Sequence, residues 1–370
     1  MLRLLSITGL LACAASASAG VVITADARLE GPAVFAAEGV TVAGKVVPWG
    51  DVLSAAAEPG MRTLPRFEGL RLRDGEVWRG DLVSLAGRKV ELKSDLLGRH
   101  TVELSAVAAL EFAPDPRPAA TLRRNTLYRA GGDPVPGTLT GLTRTTVGVE
   151  SLLGKTDLPR DGLTRYVLDP AAITKPDAVE GPFDEVTLID GSRVRGRLSP
   201  TAEALVIEHE RLGRIAVPYK AVRSVLRRPE PVLDLAAAEP KSAETAPLTT
   251  GEAPVAVRPL VGDAADKPDF VRGLEVQPKT VLRFALPPGA KRRLRAELVP
   301  LADARGDVTL RISVGGAAVL ERTVSPADKP AAVSVGLPEG AELTIEADFG
   351  PRLRFPCGVV LRDPLLVTTK

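Results

Sequence analysis

Short stretches in which apolar and polar residues alternate recur along the chain, and each is bounded by Gly, Pro, Asn or Asp. The segment "VTLIDGSRVRGRL", Val186 to Leu198, has Val186, Leu188, Val194 and Leu198 on recurring faces of a two-stranded ribbon. Asp190-Gly191 supplies the turn between the strands, and Asp-Gly is a pair suited to the positive φ angles of a type I′ turn, which the spacing predicts here. A third strand, "ALVIEHE", follows. In the closing segment "RIAVPYKAVRSVL", apolar residues at Val217, Val222 and Val225 suit a short strand leading into one turn of helix.

The same pattern occurs earlier. Asp190-Gly191 followed by Gly196 matches Asp74-Gly75 followed by Gly80, and more loosely Gly131-Gly132 followed by Gly137. A second turn glycine (Gly98, Gly154, Gly213) and two apolar positions (Val102 and Val107, Leu158 and Leu163, Val217 and Val222) keep the register. In "GKVVPWGDVLSA", Gly44, Val47 and Val52 preserve the end of a degenerate first copy. Four units result, at 20–60, 66–115, 121–172 and 183–228. So small a unit holds a core poorly by itself, so each closes into a tiny barrel or neighbours share a core, and periodicity does not choose between the two. Each unit resembles, generically, a small SH3-like or Sm-like barrel; the RNA-contacting Sm motif is absent.

From 229 to 265 the chain turns rich in Pro, Ala, Glu and Thr and loses its period, which reads as an interdomain linker. From 266 to 370 the alternation resumes in "TVLRFAL", "RRLRAELV", "DVTLRISVGG", "AVLERTV", "AAVSVGL", "AELTIEADF" and "GVVLRDPLLV", the signature of an antiparallel β-sandwich. The fold class expected is therefore all-β, with about four tandem small β units followed by a C-terminal antiparallel β-sandwich.

Composition agrees, since 34 Gly and 32 Pro are too many for a helical protein. Forty-eight basic against 46 acidic side chains leave no global field to attract nucleic acid, and no nucleic-acid partner is expected. The first twenty residues carry one Arg, an apolar core from Leu4 to Ala15 and the small-residue end Ala17-Ser18-Ala19, which reads as a secretory signal at 1–19 cleaved near Ala19. Export to a secreted or periplasmic location is the expectation, with no membrane span elsewhere. Leu10 to Cys13 loosely resembles a lipobox, so anchoring through Cys13 is a minor alternative. Beyond the signal only Cys357 remains, so no internal disulfide can form.

Candidate chemistry is sparse. His100 and His209 sit at non-equivalent positions of different units and are read as surface residues. No zinc spacing exists, and Asp303, Asp307 and Asp348 read as turn aspartates rather than Ca²⁺ ligands. Lys291-Arg292-Arg293 with Arg295 alternates with Leu294, Ala296 and Leu298 and reads as the wet face of a strand. No nucleophile elbow accompanies the serines, so no enzyme, catalytic residue, cofactor or metal is read from the chain. Trp49, Trp78, Tyr128, Tyr166 and Tyr219 all fall in the repeats and are read as packing residues, as are the sandwich phenylalanines Phe270, Phe284, Phe349 and Phe355.

The C-terminal third carries one resemblance. "VRGLEVQPKTVLRFALPPGAKRRLRAELV", "GDVTLRISVGGAAVLERTV", "AELTIEADF" and the closing "LRDPLLV" together resemble the NPCBM carbohydrate-binding module found with glycoside hydrolases of family 98 and in secreted planctomycete proteins. The family commonly has a His where this chain has Gln277, and an Asp-Trp pair where this chain has Val360-Leu361. The resemblance implies a sugar-binding fold whose candidate residues, at or beside the motif positions, are Arg272, Glu275, Gln277 and Asp363. Two functions remain open: a secreted non-catalytic binding protein that engages glycans or envelope polysaccharide, and a structural protein of the cell envelope whose sandwich has lost sugar binding and contacts other envelope proteins.

Overall fold

A computed structural model describes residues 20–57, 67–117, 121–174, 176–177, 182–228, 232–236, 238–246, 258–259, 273–286 and 291–368. The expected signal at 1–19 lies outside these residues. Among the described residues, nearly all regular secondary structure is strand.

Each unit repeats one plan: a first strand, a second strand that bends into a three-stranded meander, and a last strand that returns beside the first. In unit one these are β1 (Gly20–Ile23), β2 (Arg28–Gly31), β3 (Ala33–Ala36), β4 (Gly39–Val42), β5 (Lys45–Pro48) and β6 (Ser54–Ala56). Unit two has β7 (Gly69–Leu72), β8 (Val77–Arg79), β9 (Asp81–Ala86), β10 (Lys89–Ser94), β11 (Gly98–Glu103) and β12 (Val107–Glu111). Unit three has β13 (Thr126–Arg129), β14 (Val135–Pro136), β15 (Thr138–Leu142), β16 (Thr146–Ser151), β17 (Gly154–Pro159) and β18 (Leu163–Val167), followed by the short helix α1 (Pro170–Thr174). In unit four β19 (Phe183–Leu188) leads to β20 (Arg193–Pro200), one strand that serves both sheets, then β21 (Ala204–His209), β22 (Gly213–Pro218) and β23 (Val222–Arg228). A single 3-10 turn precedes the last strand in units two and four, at Leu104–Ala106 and Tyr219–Ala221, where the apolar spacing suggested a turn of helix.

The strand glycines of the repeat now have a physical reason. A Cβ on Gly80 would lie 2.5 Å from the Lys93 carbonyl oxygen, on Gly137 2.7 Å from that of Glu150, and on Gly196 2.6 Å from that of Glu208. These are equivalent sites, where the second strand bends across the middle strand of the meander and only glycine fits. Gly196→Ala is expected to destabilise the array by about 1–3 kcal/mol, because the obstacle is backbone and cannot rotate away; an unchanged urea midpoint would refute the close approach.

The turn itself differs from the expectation. Among the described residues of the turn only Gly191 has positive φ, at 87°, and Leu188 N donates to Ser192 O at 2.8 Å while Gly191 N donates to Leu188 O at 3.0 Å. The loop is thus three residues, Ile189 to Gly191, rather than a type I′ pair, which needs positive φ at both central positions. Asp190 accepts from the Ser192 N–H at 2.8 Å, and Asp74 likewise from Glu76 at 3.0 Å, so the aspartate closes the turn through its side chain.

The four units share a sheet and a core. Fourteen strands form one sheet whose principal order is β14-β13-β18-β12-β7-β8-β20-β19-β23-β6-β1-β2, so the units lie side by side as three, two, four, one. Neighbours meet through like strands: last against last at β12–β18 and β6–β23, and second against second at β8–β20. One continuous apolar cluster runs from Val22 to Val225 through all four units.

The C-terminal sandwich pairs two sheets. The first contains β24 (Val232–Asp234), β26 (Arg258–Pro259), β27 (Gly273–Val276), β29 (Arg292–Pro300), β32 (Ala331–Leu337) and β34 (Val359–Thr368). The second, in order, is β25 (Ser242–Thr245), β28 (Thr280–Ala285), β33 (Glu342–Phe349), β30 (Val308–Val314) and β31 (Ala317–Val324). Phe284, Leu294, Leu310, Ile345 and Leu361 fill the space between them. The stretch read as a linker, 229–265, is partly woven into this sandwich: β24 pairs with β34, and β25 with β28. Pro and Ala around these short strands hid their alternation from a periodicity reading.

The sandwich also docks on unit one. Ile23 and Leu53 pack with Leu365 and Val367, Arg28 lies 3.8 Å from both Glu297 and Asp363, and Arg293 bonds Asp26 at 2.6 Å. The arginine strand is therefore not a wet face: Arg295 is buried, and that burial lowers its pKa against the opposing pull of Asp363. Alternation correctly put Arg293, Arg295 and Glu297 opposite the core, but the surface they form is covered by another unit.

Candidate functional site

Of the four sequence candidates, Arg272 lies outside the described residues. Glu275 and Gln277 sit at the end of β27, where the Gln277 amide approaches Glu275 Oε1 at 3.5 Å. Asp363 is near the other end of the paired strand: Val276 faces Val359, Gly273 faces Arg362, and Asp363 follows with φ 47° at a register shift, buried toward Arg28. Asp363 lies four residue steps along the strand from Val359, roughly 13 Å. The structure thus places Asp363 in the contact with unit one and does not bring it together with Gln277.

A different surface gathers polar groups with exposed aromatic carbon. On the outer face of the second sheet, Thr309 and Arg311 of β30 and Glu346, Asp348 and Phe349 of β33 line a shallow depression of about 140 Å³. Strand alternation sends Thr309, Arg311, Glu346 and Asp348 outward while Leu310, Ile312, Ile345 and Ala347 point to the core, and Phe349, on the core side at the end of its strand, packs partly buried against it. Arg311 Nε bonds Glu321 at 3.0 Å and reaches Glu346 at 3.8 Å, and Lys279 Nζ lies 2.8 Å from Asp348. The Lys279 hydrogen bond holds the Asp348 carboxyl below its usual range, and that of Glu321 raises the Arg311 guanidinium. The Asp348 carboxylate is thus an ionised acceptor beside the Lys279 donor.

Phe349 joins this depression to a loop. Its ring meets that of Phe355 edge-on, with centroids 5.6 Å apart, and Lys279 Nζ stands 5.9 Å from the Phe349 centroid. Phe284 fills the core as expected, but Phe355 is 56% exposed and Leu353 62%. Phe270 lies outside the described residues. Phe355 was missed because it lies in a loop, "GPRLRFPC", where no period distinguishes inward from outward. The loop is anchored: Arg352 grips Asp307 with Nε at 3.1 Å and Nη2 at 2.9 Å, Asp307 N donates to Arg352 O at 3.0 Å, and Arg305 N donates to Pro356 O at 2.7 Å. Asp307 and Asp348 are therefore committed to basic side chains. Among the described residues no group of three or more His, Cys, Asp or Glu could hold a metal ion, and no helix is long and apolar enough to cross a membrane.

The repeats use their aromatic residues inside. Trp78, Tyr128 and Tyr166 are fully buried, and Tyr166 Oη donates to Gly137 O at 2.9 Å. His209, read as a surface residue, is buried between units two and four. Its Nδ1 accepts the Arg211 and Leu212 N–H groups at 2.9 and 3.0 Å, so the proton is on Nε2, facing Glu76 Oε2 at 3.0 Å. Nothing in the sequence spacing marked this pair, since 133 residues separate its members.

No protein-family model matches the sequence, and no curated protein matches it. Among solved structures, the chain is similar to the CBM51 module of a GH95 enzyme from Clostridium perfringens in complex with methyl-galactose, at 13% identity and TM-score 0.30, over 37% of this chain and 99% of that one. It is also similar to the tandem CBM51 modules of a family 98 glycoside hydrolase from Streptococcus pneumoniae, at 8% identity and TM-score 0.31, over 82% of this chain and 88% of that one. The CBM51-2 and INT domains of Clostridium perfringens ZmpB, in complex with GlcNAc, give 13% identity and TM-score 0.30 over 59% of this chain and 44% of that one.

Proposed function

We propose that this chain is an exported, non-catalytic binding protein whose C-terminal sandwich engages carbohydrate on the outer face of its second sheet, presented on an array of four small β units that share one core. The observation that carries this reading is the exposed Phe355 ring beside a depression lined by Thr309, Arg311, Glu346 and Asp348. Sugars are held by stacking their C–H faces on an aromatic ring while planar polar groups meet their hydroxyls, and this surface offers both. The NPCBM resemblance supports the same reading, with the difference that Asp363 serves the docking onto unit one. Ala17-Ser18-Ala19 supports export.

One aromatic contact contributes about 0.5–1.5 kcal/mol, and each hydrogen bond made in competition with water nets a similar amount. Affinity for a neutral oligosaccharide is therefore expected near the millimolar range. A fragment beginning at residue 251 would lack β24 and β25, so the test uses the full chain. Titration calorimetry with galactose-containing oligosaccharides should show weak binding that Phe355→Ala reduces about 3- to 10-fold. Absence of binding to any sugar would refute the site, and reducing-sugar release by the purified chain would refute the non-catalytic assignment.

A further inference from the structure

The loop that carries Phe355 also carries charge that the protein does not use. Arg352, Leu353, Arg354 and Phe355 are all exposed. Arg352 is neutralised by Asp307, Arg311 by Glu321 and Glu346, and Lys279 by Asp348. Arg354 on this loop and Arg305 on the neighbouring one are exposed, and among the described residues neither is drawn into a salt bridge or a side-chain hydrogen bond. Their backbones abut: Arg305 N donates to Pro356 O at 2.7 Å, and Gly306 passes so close that a Cβ there would collide with the Arg354 carbonyl. Asp303, exposed on the same loop as Arg305, is the one carboxylate of the two loops outside these ion pairs, so an excess of positive charge remains.

Two guanidiniums outside any ion pair, carried on anchored backbone that adjoins an exposed ring and leucine, offer a surface complementary to a flat apolar face that bears an anion. Guanidinium pairs bidentately with carboxylate, while the ring takes the C–H face of a sugar. From this we infer that the ligand of the sandwich is an acidic glycan, one whose rings carry carboxylate groups, read by Arg305 and Arg354 with Phe355 as the stacking platform. This inference rests on the carbohydrate reading above and narrows it. A lipid surface is the less favoured occupant: the large apolar side chains exposed on this loop are Leu353 and Phe355, a small area to insert into a bilayer.

The experiment titrates the full-length protein with trigalacturonate and with its methyl ester, which keeps the rings and removes the charge. The acid is expected to bind at least 10-fold more tightly than the ester, with an advantage that shrinks as salt rises. In the doubly substituted Arg305→Gln, Arg354→Gln protein, whose melting temperature should be unchanged, the acid should fall to the affinity of the ester, and Phe355→Ala should weaken both. Equal binding of acid and ester by the native protein would overturn the charge assignment while leaving carbohydrate binding intact. Binding of neither would overturn both. Sedimentation with phosphatidylserine vesicles, lost in Phe355→Ala and in the double arginine variant without any trigalacturonate binding, would assign the loop to a membrane surface and overturn the proposal.

Discussion

Glu111→Ala is expected to lower the stability of the four-unit array by about 3–5 kcal/mol, read as a drop in the urea midpoint at neutral pH. Glu111 is buried in the last strand of unit two, opposite Arg165 of unit three, and its carboxylate meets Arg71 at 3.0 Å, Arg79 at 2.6 Å and Arg165 at 3.4 Å. Removing it takes from three partly buried guanidiniums the carboxylate they share, and Arg165 Nε is already without a hydrogen-bond partner. An unpaired buried charge costs more than the pair contributes, so the loss exceeds that of a surface ion pair several-fold. Glu111→Gln keeps the volume and some hydrogen bonds, and should fall between the two. If Glu111→Ala melts like the native protein, the junction between units two and three is not held in this way.

The same residue sets an acid limit. Burial would raise the Glu111 pKa, but the charges of Arg71, Arg79 and Arg165 reverse that and bring it from 4.5 to about 2. A carboxylate depressed in the folded state contributes stability that is fully present above its unfolded pKa and is lost as pH falls through the folded one. The window is therefore from about 4.5 down to about 2, and the contribution lost across it is on the order of 3 kcal/mol. In Glu111→Gln this part of the acid dependence should vanish, so the native and variant stability curves converge toward pH 2. Parallel curves over that range would remove Glu111 as the group responsible.

The repeat was legible in sequence because its glycines answer to steric demands inside each unit. A Cβ at Gly80, Gly137 or Gly196 would lie 2.5–2.7 Å from a backbone carbonyl oxygen, and no other residue can replace them without moving a strand. The order of the units was not legible. The junction between units two and four rests on a single paired position, Val77 with Arg193, and on side chains placed about it with pseudo-twofold symmetry: Glu76 accepts the Arg195 N–H at 2.8 Å, and Ser192 accepts the Arg79 N–H at 3.0 Å. Glu76 and Ser192 each follow their Asp-Gly, but different residue types doing the same task leave no motif. Arg295 and Asp363 show a further limit. Strand alternation reports which residues oppose the core, and cannot report that a neighbouring unit covers the other side. Phe355 lies in a loop, where alternation reports nothing.

Trp78→Ala is expected to cost about 3–5 kcal/mol, enough to be a large fraction of the stability of most domains. The indole is fully buried at the junction of units two and four and is flanked edge-on by two imidazoles, with centroids 5.4 Å away at His209 and 6.3 Å away at His100. Its Nε1 donates to Glu76 Oε2 at 2.9 Å, and that carboxylate, itself buried, also accepts from His209 and from the Arg195 backbone. Deletion therefore removes the largest side chain at the junction and one of three donors to a buried carboxylate. Trp78→Phe separates the two effects: it restores most of the apolar contact and still leaves Glu76 one donor short, for which about 1–3 kcal/mol is expected. Adding Glu76→Gln to Trp78→Phe should recover part of that loss, because a neutral amide at position 76 tolerates the missing donor better than a carboxylate does. Urea unfolding of the three variants decides the matter: a double variant no more stable than Trp78→Phe alone would mean that packing, and not the satisfied carboxylate, holds units two and four together.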